Sequence, residues 1–145
     1  MKGYYEMKYT KSNDTYIVRM FKGEEITQSL LQLSGREKIT TAHVSGIGGV
    51  CDIELGFFDL EKKDYDHQKF NGLYELLNLS GNITLVDGSP FLHAHVTLGD
   101  SSYRTIGGHL FKATISVTGE FFVTPLDIEV SRNYDAETQL KLMDL

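Results

Sequence analysis

Residues 93–109, HAHVTLGDSSYRTIGGH, carry three of the five histidines in this 145-residue chain. A neutral imidazole binds borderline divalent metals and exchanges a proton near neutral pH, so histidines this close together suggest a shared ion. In a β-strand, side chains two positions apart leave the same face with their Cα atoms roughly 6.6 Å apart. His93 and His95 can therefore both aim a nitrogen at one ion about 2.0–2.1 Å away. Phe91 and Thr97 share that face, while Leu92, Ala94, Val96 and Leu98 make an unbroken apolar row on the other, suited to a core.

Folding FLHAHVTLG onto YRTIGGHLF as a hairpin brings in a third imidazole. A five-residue loop, Gly99 to Tyr103, sets His109 opposite His93 on the same face, whereas a four-residue loop puts it on the wrong one. A bulge at Gly107 or Gly108 would repair the second case, because one inserted residue flips the side chains after it. Three imidazoles with a fourth position open suit zinc or another divalent metal, and the single cysteine, Cys51, supplies no thiolate set. On the residues alone, solvated or hydrogen-bonded strand histidines are the alternative.

The other chemistry-bearing residues are less committed. His43, in TTAHVSG, could in principle complete a fourth ligand but reads as a strand or interface histidine, and His67, in KKDYDHQKF, as an exposed one. Glu75 alternates with Leu73, Leu77 and Leu79, so it is expected to be buried on that face with a partner, for which Arg104 is a candidate. It could serve a ligating imidazole as hydrogen-bond acceptor, act as a catalytic base, or form a structural ion pair; Asp100 is a second candidate base. Cys51 is expected to be a small buried hydrophobe.

The elements that must position these groups read mostly as strands. TYIVRMF alternates and is rich in β-branched and aromatic residues. One amphipathic helix follows in GEEITQSLLQLSGREK. There Ile26, Leu30 and Leu33 recur at helical spacing, Glu24 and Glu25 suit the N-terminal dipole, and Gly35 is the expected stop. The remainder is strand after strand, separated by DLEKKD, DGSP and GDSS. SGIGGVC is expected to be a tight turn between two of them, because the third glycine of a dinucleotide fingerprint would fall at Cys51 and a strand follows where a helix is required. The class is α+β with a largely antiparallel sheet, one domain over residues 1–145, and a polar C-terminal tail from 131 to 145 that docks or frays.

Composition narrows the functions. A formal net charge of -6 argues against a broad phosphate-binding surface. No G-x-S-x-G elbow, P-loop or H-E-x-x-H occurs. The opening MKGYYEMKYT lacks the apolar stretch of a secretory signal and no run is long enough for a transmembrane helix, so a cytoplasmic protein without membrane contact is expected.

The ordered set FKGEEITQSLLQL, AHVSGIGGV, NGLYELLNLSGNI, FLHAHVTLGD and GGHLFKATISVTGEFFVTPL resembles the plants-and-prokaryotes-conserved (PPC) domain, which accompanies AT-hooks in plant nuclear proteins and stands alone in prokaryotes. The likeness spans most of the chain. It implies an antiparallel α+β fold with one prominent helix, assembled as a homotrimer, and a metal held by the histidines matching His93, His95 and His109. Glu75 matches the glutamate of the family's G-R-F-E-I-L block, where Leu73 replaces arginine. The AT-hook core R-G-R-P is absent around Arg19, Arg36, Arg104 and Arg132. The expectation is thus a trimeric binding module with a three-histidine metal site open to a small anionic or carbonyl ligand. A metal-dependent hydrolase or lyase, and a regulator acting through DNA or a DNA-binding partner, are the alternatives; direct contact with nucleic acid is not expected.

Overall fold

In the computed structural model, which describes residues 6–145, nine strands and one helix follow one another. They are β1 (Lys8–Ser12), β2 (Thr15–Phe21), α1 (Ile26–Glu37), β3 (Ala42–Asp59), β4 (Asp64–Phe70), β5 (Tyr74–Val86), β6 (Ser89–Gly99), β7 (Thr105–Pro125), β8 (Ser131–Tyr134) and β9 (Lys141–Met143). β3 pairs with β5, β5 with β6, β6 with β7, and β7 again with β3, all antiparallel, so these four close into a ring. β2 continues the sheet from the C-terminal half of β7 with β1 beyond it, and β4 lies against the C-terminal half of β3.

Alternation along the ring strands decides what is enclosed. Leu92, Ala94, Val96 and Leu98 of β6 are buried, as are Leu79 and Ile83 of β5, Val44 of β3, and Ile115 and Phe121 of β7. They join one core with Ile26, Leu30 and Leu33 of α1, which packs against β6 and β7. Each of these fully buried leucines contributes about 2 kcal/mol of transfer free energy. The helix runs through Gly35 to Glu37, two residues beyond the expected stop, and ends at Lys38 in the left-handed conformation with φ 56°, its N–H donating to Ser34 O. At the other end Glu25 is itself the N-cap, its carboxylate accepting from Thr27 N and Gln28 N, whereas Glu24 accepts from Met7 N and Phe21 N.

The SGIGGVC segment corrects the expected turn: it lies inside β3, which is one strand of 18 residues. Its glycines serve close packing, since a Cβ on Gly46 would sit 2.1 Å from the Phe121 ring. Register shifts between Gly46 and Gly48 and between Gly48 and Val50 absorb the irregularity as bulges. Cys51, expected to be buried, is half-buried, next to a further register shift where Asp52 has φ 49°.

Of the expected turns, DGSP is the β5–β6 hairpin, with Asp87 at φ 50° and Gly88 at φ 81° between the paired Val86 and Ser89; both central residues with positive φ suit the twist of a two-residue hairpin. The C-terminal tail is docked. β8 adds in parallel to β5 at Leu85–Val86, beyond the last β3–β5 pair, and β9 pairs back on β8. Among the described residues no helix is long and apolar enough to cross a membrane.

Candidate metal centre

β6 presents His93 and His95 on its outer face, opposite its buried row. β7 brings His109 to the same face, with Leu110 turned into the core behind it. The hairpin pairs Gly99 with Thr105 and, without a register shift, His95 with His109. The loop therefore has five residues, as required, but runs from Asp100 to Arg104, one residue later than expected, and His109 lies opposite His95 rather than His93. No bulge is needed between β6 and β7. Gly107 and Gly108 instead permit close approach, since a Cβ on Gly107 would stand 2.7 Å from Val96 O and one on Gly108 2.9 Å from Gly56 O.

The three imidazoles each offer one nitrogen within 4.8 Å of the others. His93 Nε2 and His95 Nε2 are 3.3 Å apart. Two nitrogens at tetrahedral positions 2.0–2.1 Å from one ion would be about 3.4 Å apart, so this pair already spans the edge of such a polyhedron. Neutral imidazole is also the donor that zinc and its neighbours in the first transition row favour. The residues present thus fit a divalent ion in both donor chemistry and spacing.

The surroundings of His93 and His109 favour their neutral forms. His109 is pushed down to about 4, by burial first and then by His93, His95 and His67; His93 is lowered by burial, then by Arg132 and His95. At neutral pH both are therefore free to accept a metal without first losing a proton. Tyr65 on β4 lies over His109, the ring centroids 4.6 Å apart and the hydroxyl 3.5 Å from His109 Nδ1, and Phe111 packs edge-on at 4.8 Å. Gly56 makes room for both rings, because a Cβ there would lie 2.3 Å from Phe111 and 2.9 Å from Tyr65. His67 is exposed, as expected; it stacks on Phe111 and pairs with Glu54 through Nδ1 at 2.7 Å.

A cavity of about 590 Å³ adjoins the cluster, lined by His43, Ser80, Asn82, Thr84, His93 and His95 and walled in part by Leu126, Val130 and Met143. His43 is exposed on β3, and pairing places it in one row with Asn82 of β5 and His93 of β6.

The two carboxylates are elsewhere. Glu75 is exposed rather than buried, because a register shift between Leu76 and Asn78 swaps the faces of β5 and turns Leu76 and Leu79 inward. Arg104 is not its partner. It pairs with Asp100, whose carboxylate also accepts from Ser102 N and Arg104 N and lies below the usual carboxylate range chiefly for that reason. Glu75 and Asp100 line a separate cavity with Leu73, Leu77, Tyr103 and Val117. Sequence reasoning missed Tyr65, Phe111, Asn82 and Arg132 as neighbours of the histidines. Only the outward alternation of Phe111 with His109 could have signalled one of them.

Residues 7–127 match the family described as the Plants and Prokaryotes Conserved (PCC) domain. Among solved structures, the chain is similar to a metal-containing protein from Archaeoglobus fulgidus, with 34% identity over 100% of both chains and a TM-score of 0.85. It is similar to a protein of proposed DNA-binding function from Bacteroides thetaiotaomicron, with 32% identity over 97% of this chain and 98% of that one and a TM-score of 0.93. It is also similar to a plant- and prokaryote-conserved protein from Pyrococcus horikoshii, with 32% identity over 100% of this chain and 98% of that one and a TM-score of 0.84. No curated protein matches the chain.

Proposed function

The chain belongs to the Plants and Prokaryotes Conserved domain family, and from that premise we propose a homotrimeric binding module that holds one divalent ion, zinc foremost, on His93, His95 and His109. The observation that carries the reading is the convergence of three imidazole nitrogens within 4.8 Å from two neighbouring strands. The metal-containing relative from Archaeoglobus fulgidus supports it. The ion would supply a Lewis-acidic position at which a ligand oxygen binds. The chain's own part is to orient three rings and hold His93 and His109 neutral, with Tyr65 and Phe111 packed on His109, and to leave the side toward the cavity open.

The trimer draws support from apolar side chains exposed on one region of the surface, Ile47, Leu73, Leu77 and Val117, which a neighbouring copy would cover. The single thiol, Cys51, suits a reducing compartment and hence the cytoplasm. A hydrolase or lyase is a weaker reading, because among the described residues no Asp or Glu lines the histidine cavity, and Asp100 is committed to its turn.

Metal analysis of protein purified without a nickel column tests the proposal. One equivalent of zinc per chain is expected, lost in His95→Ala; a wild-type protein that neither contains nor takes up a divalent ion overturns it. Light scattering checks the trimer, with a mass three times 16.3 kDa expected and a monomer against it.

The DNA-binding reading rests on the Bacteroides thetaiotaomicron relative. The net charge of -6, with no Lys or Arg among the described residues lining the histidine cavity, favours the metal module. A mobility shift on plain duplex at physiological salt separates the two: no binding is expected, and a salt-sensitive shift would favour DNA.

A further inference from the structure

Behind the wall of the histidine cavity lies a buried cation without an anion. Arg132 of β8 is 7% exposed, and its guanidinium donates to Thr84 Oγ1 at 2.7 Å, to Asn82 Oδ1 at 2.9 Å and to Lys141 O at 3.2 Å. All three acceptors are neutral, and no ion pair reaches Arg132 among the described residues. A guanidinium only donates, so the Asn82 amide must turn its oxygen toward Arg132 and its NH2 away from it. The Thr84 oxygen is likewise engaged as acceptor. Asn82 and Thr84 line the cavity and Arg132 does not, so the two side chains stand between the cation and the open space. The Asn82 nitrogen has no acceptor among the described residues.

The Asn82 donor, backed by a positive charge in a cavity lined by no Asp or Glu side chain among the described residues, selects an oxyanion. The apolar side chains of Leu126, Val130 and Met143 along the same cavity select a hydrocarbon body. We infer that this cavity binds a small organic carboxylate, an oxygen on Asn82 Nδ2, with Arg132 as the positioning residue that sets this donor; Thr84, 1% exposed, serves as the buried acceptor that holds Arg132 in place. The inference rests on the metal reading only for a second anchor: Asn82 is paired in register with His93, which places the carboxylate beside the three imidazoles. The Asn82 donor acts without the ion.

Calorimetric titration of hexanoate into the full chain, stripped with chelator and again loaded with zinc, tests this. Inorganic phosphate and hexylamine serve as comparison probes. Hexanoate is expected to bind both forms more tightly than either comparison. Asn82→Asp keeps an acceptor for Arg132, and so preserves the fold, but puts a charge in place of the donor. It should weaken hexanoate roughly tenfold or more while zinc uptake persists. In the wild type, the Asn82 side-chain amide resonances should move on adding hexanoate, a readout that requires no variant. Arg132→Lys should abolish that movement, whereas a purely structural Arg132 would leave it intact in the folded fraction. Equal binding of hexylamine or phosphate, unchanged affinity in Asn82→Asp, or a static Asn82 amide would each overturn the inference. Hexanoate binding that depends on Asn82 in a protein unable to hold zinc would sink the metal reading alone; zinc uptake without such binding would sink the carboxylate alone.

Discussion

The two ends of the β6–β7 hairpin are built from similar polar residues and have opposite characters. At the turn, each polar group of Asp100 is engaged: its carboxylate accepts from Ser102 N, Arg104 N and the Arg104 guanidinium, and its backbone N–H and C=O bond Arg104 O and Tyr103 N. Five residues further along each strand, His95 and His109 face one another with His93 alongside, and their close neighbours are mostly one another and aromatic rings. Satisfied polar groups at the first end make structure. Convergent donors at the second, without a carboxylate to hold them, leave a space whose chemistry a ligand must complete.

Removing a group from each end should give separable effects. The largest belongs to the histidine end: His93→Ala or His95→Ala should weaken zinc by roughly a hundredfold or more in a competition titration, because two ligands cannot hold the ion as three do. Substitution between the two ends comes next. Gly107→Ala places a Cβ 2.7 Å from Val96 O and must push β7 away from β6, which should cost about 1–3 kcal/mol in denaturant unfolding and, by displacing His109, weaken zinc roughly tenfold.

Acid provides a third, smaller contrast. His109 is held near 4 in the folded chain, against about 6.5 for an unperturbed histidine. Between those values the unfolded chain binds more protons, so the stability of the metal-free protein should fall as pH drops from about 6.5 to about 4 and stay level just above that window. Melting temperature measured across pH in chelator checks this, and His109→Gln should flatten the slope. The smallest effect belongs to the turn: Asp100→Ala should lower the melting temperature by a few degrees and leave zinc affinity as it was. A loss of zinc in Asp100→Ala would show that the two ends are not independent.

How far the sequence reaches differs between these regions. On β6 the period of two assigns His93 and His95 to one face and Leu92, Ala94, Val96 and Leu98 to the core without reference to any other strand, and the structure agrees. The helix is similarly legible, because Ile26, Leu30 and Leu33 repeat at its own period. Glu75 fails the same test. Its alternation with leucines is broken by the register shift after Leu76, an event set by how β5 meets β6, and so the residue expected inside is outside. The glycines of β3 fail for a related reason. Read locally they signal a turn, yet Gly46 is small because the ring of Phe121, 75 positions later, occupies the space of its side chain.

The alternating pattern along β6 determined which of its side chains are wet and which are dry, and with it the pairing of two imidazoles on one surface, because an unbroken pleated backbone enforces that alternation locally. Which strands lie side by side is a matter of closure. The turn that sets His109 against His95, the parallel addition of β8 that carries Arg132 behind Asn82, and the approach of Tyr65 over His109 each join residues distant in the chain. No local period records those distances, so only the folded ring could decide them.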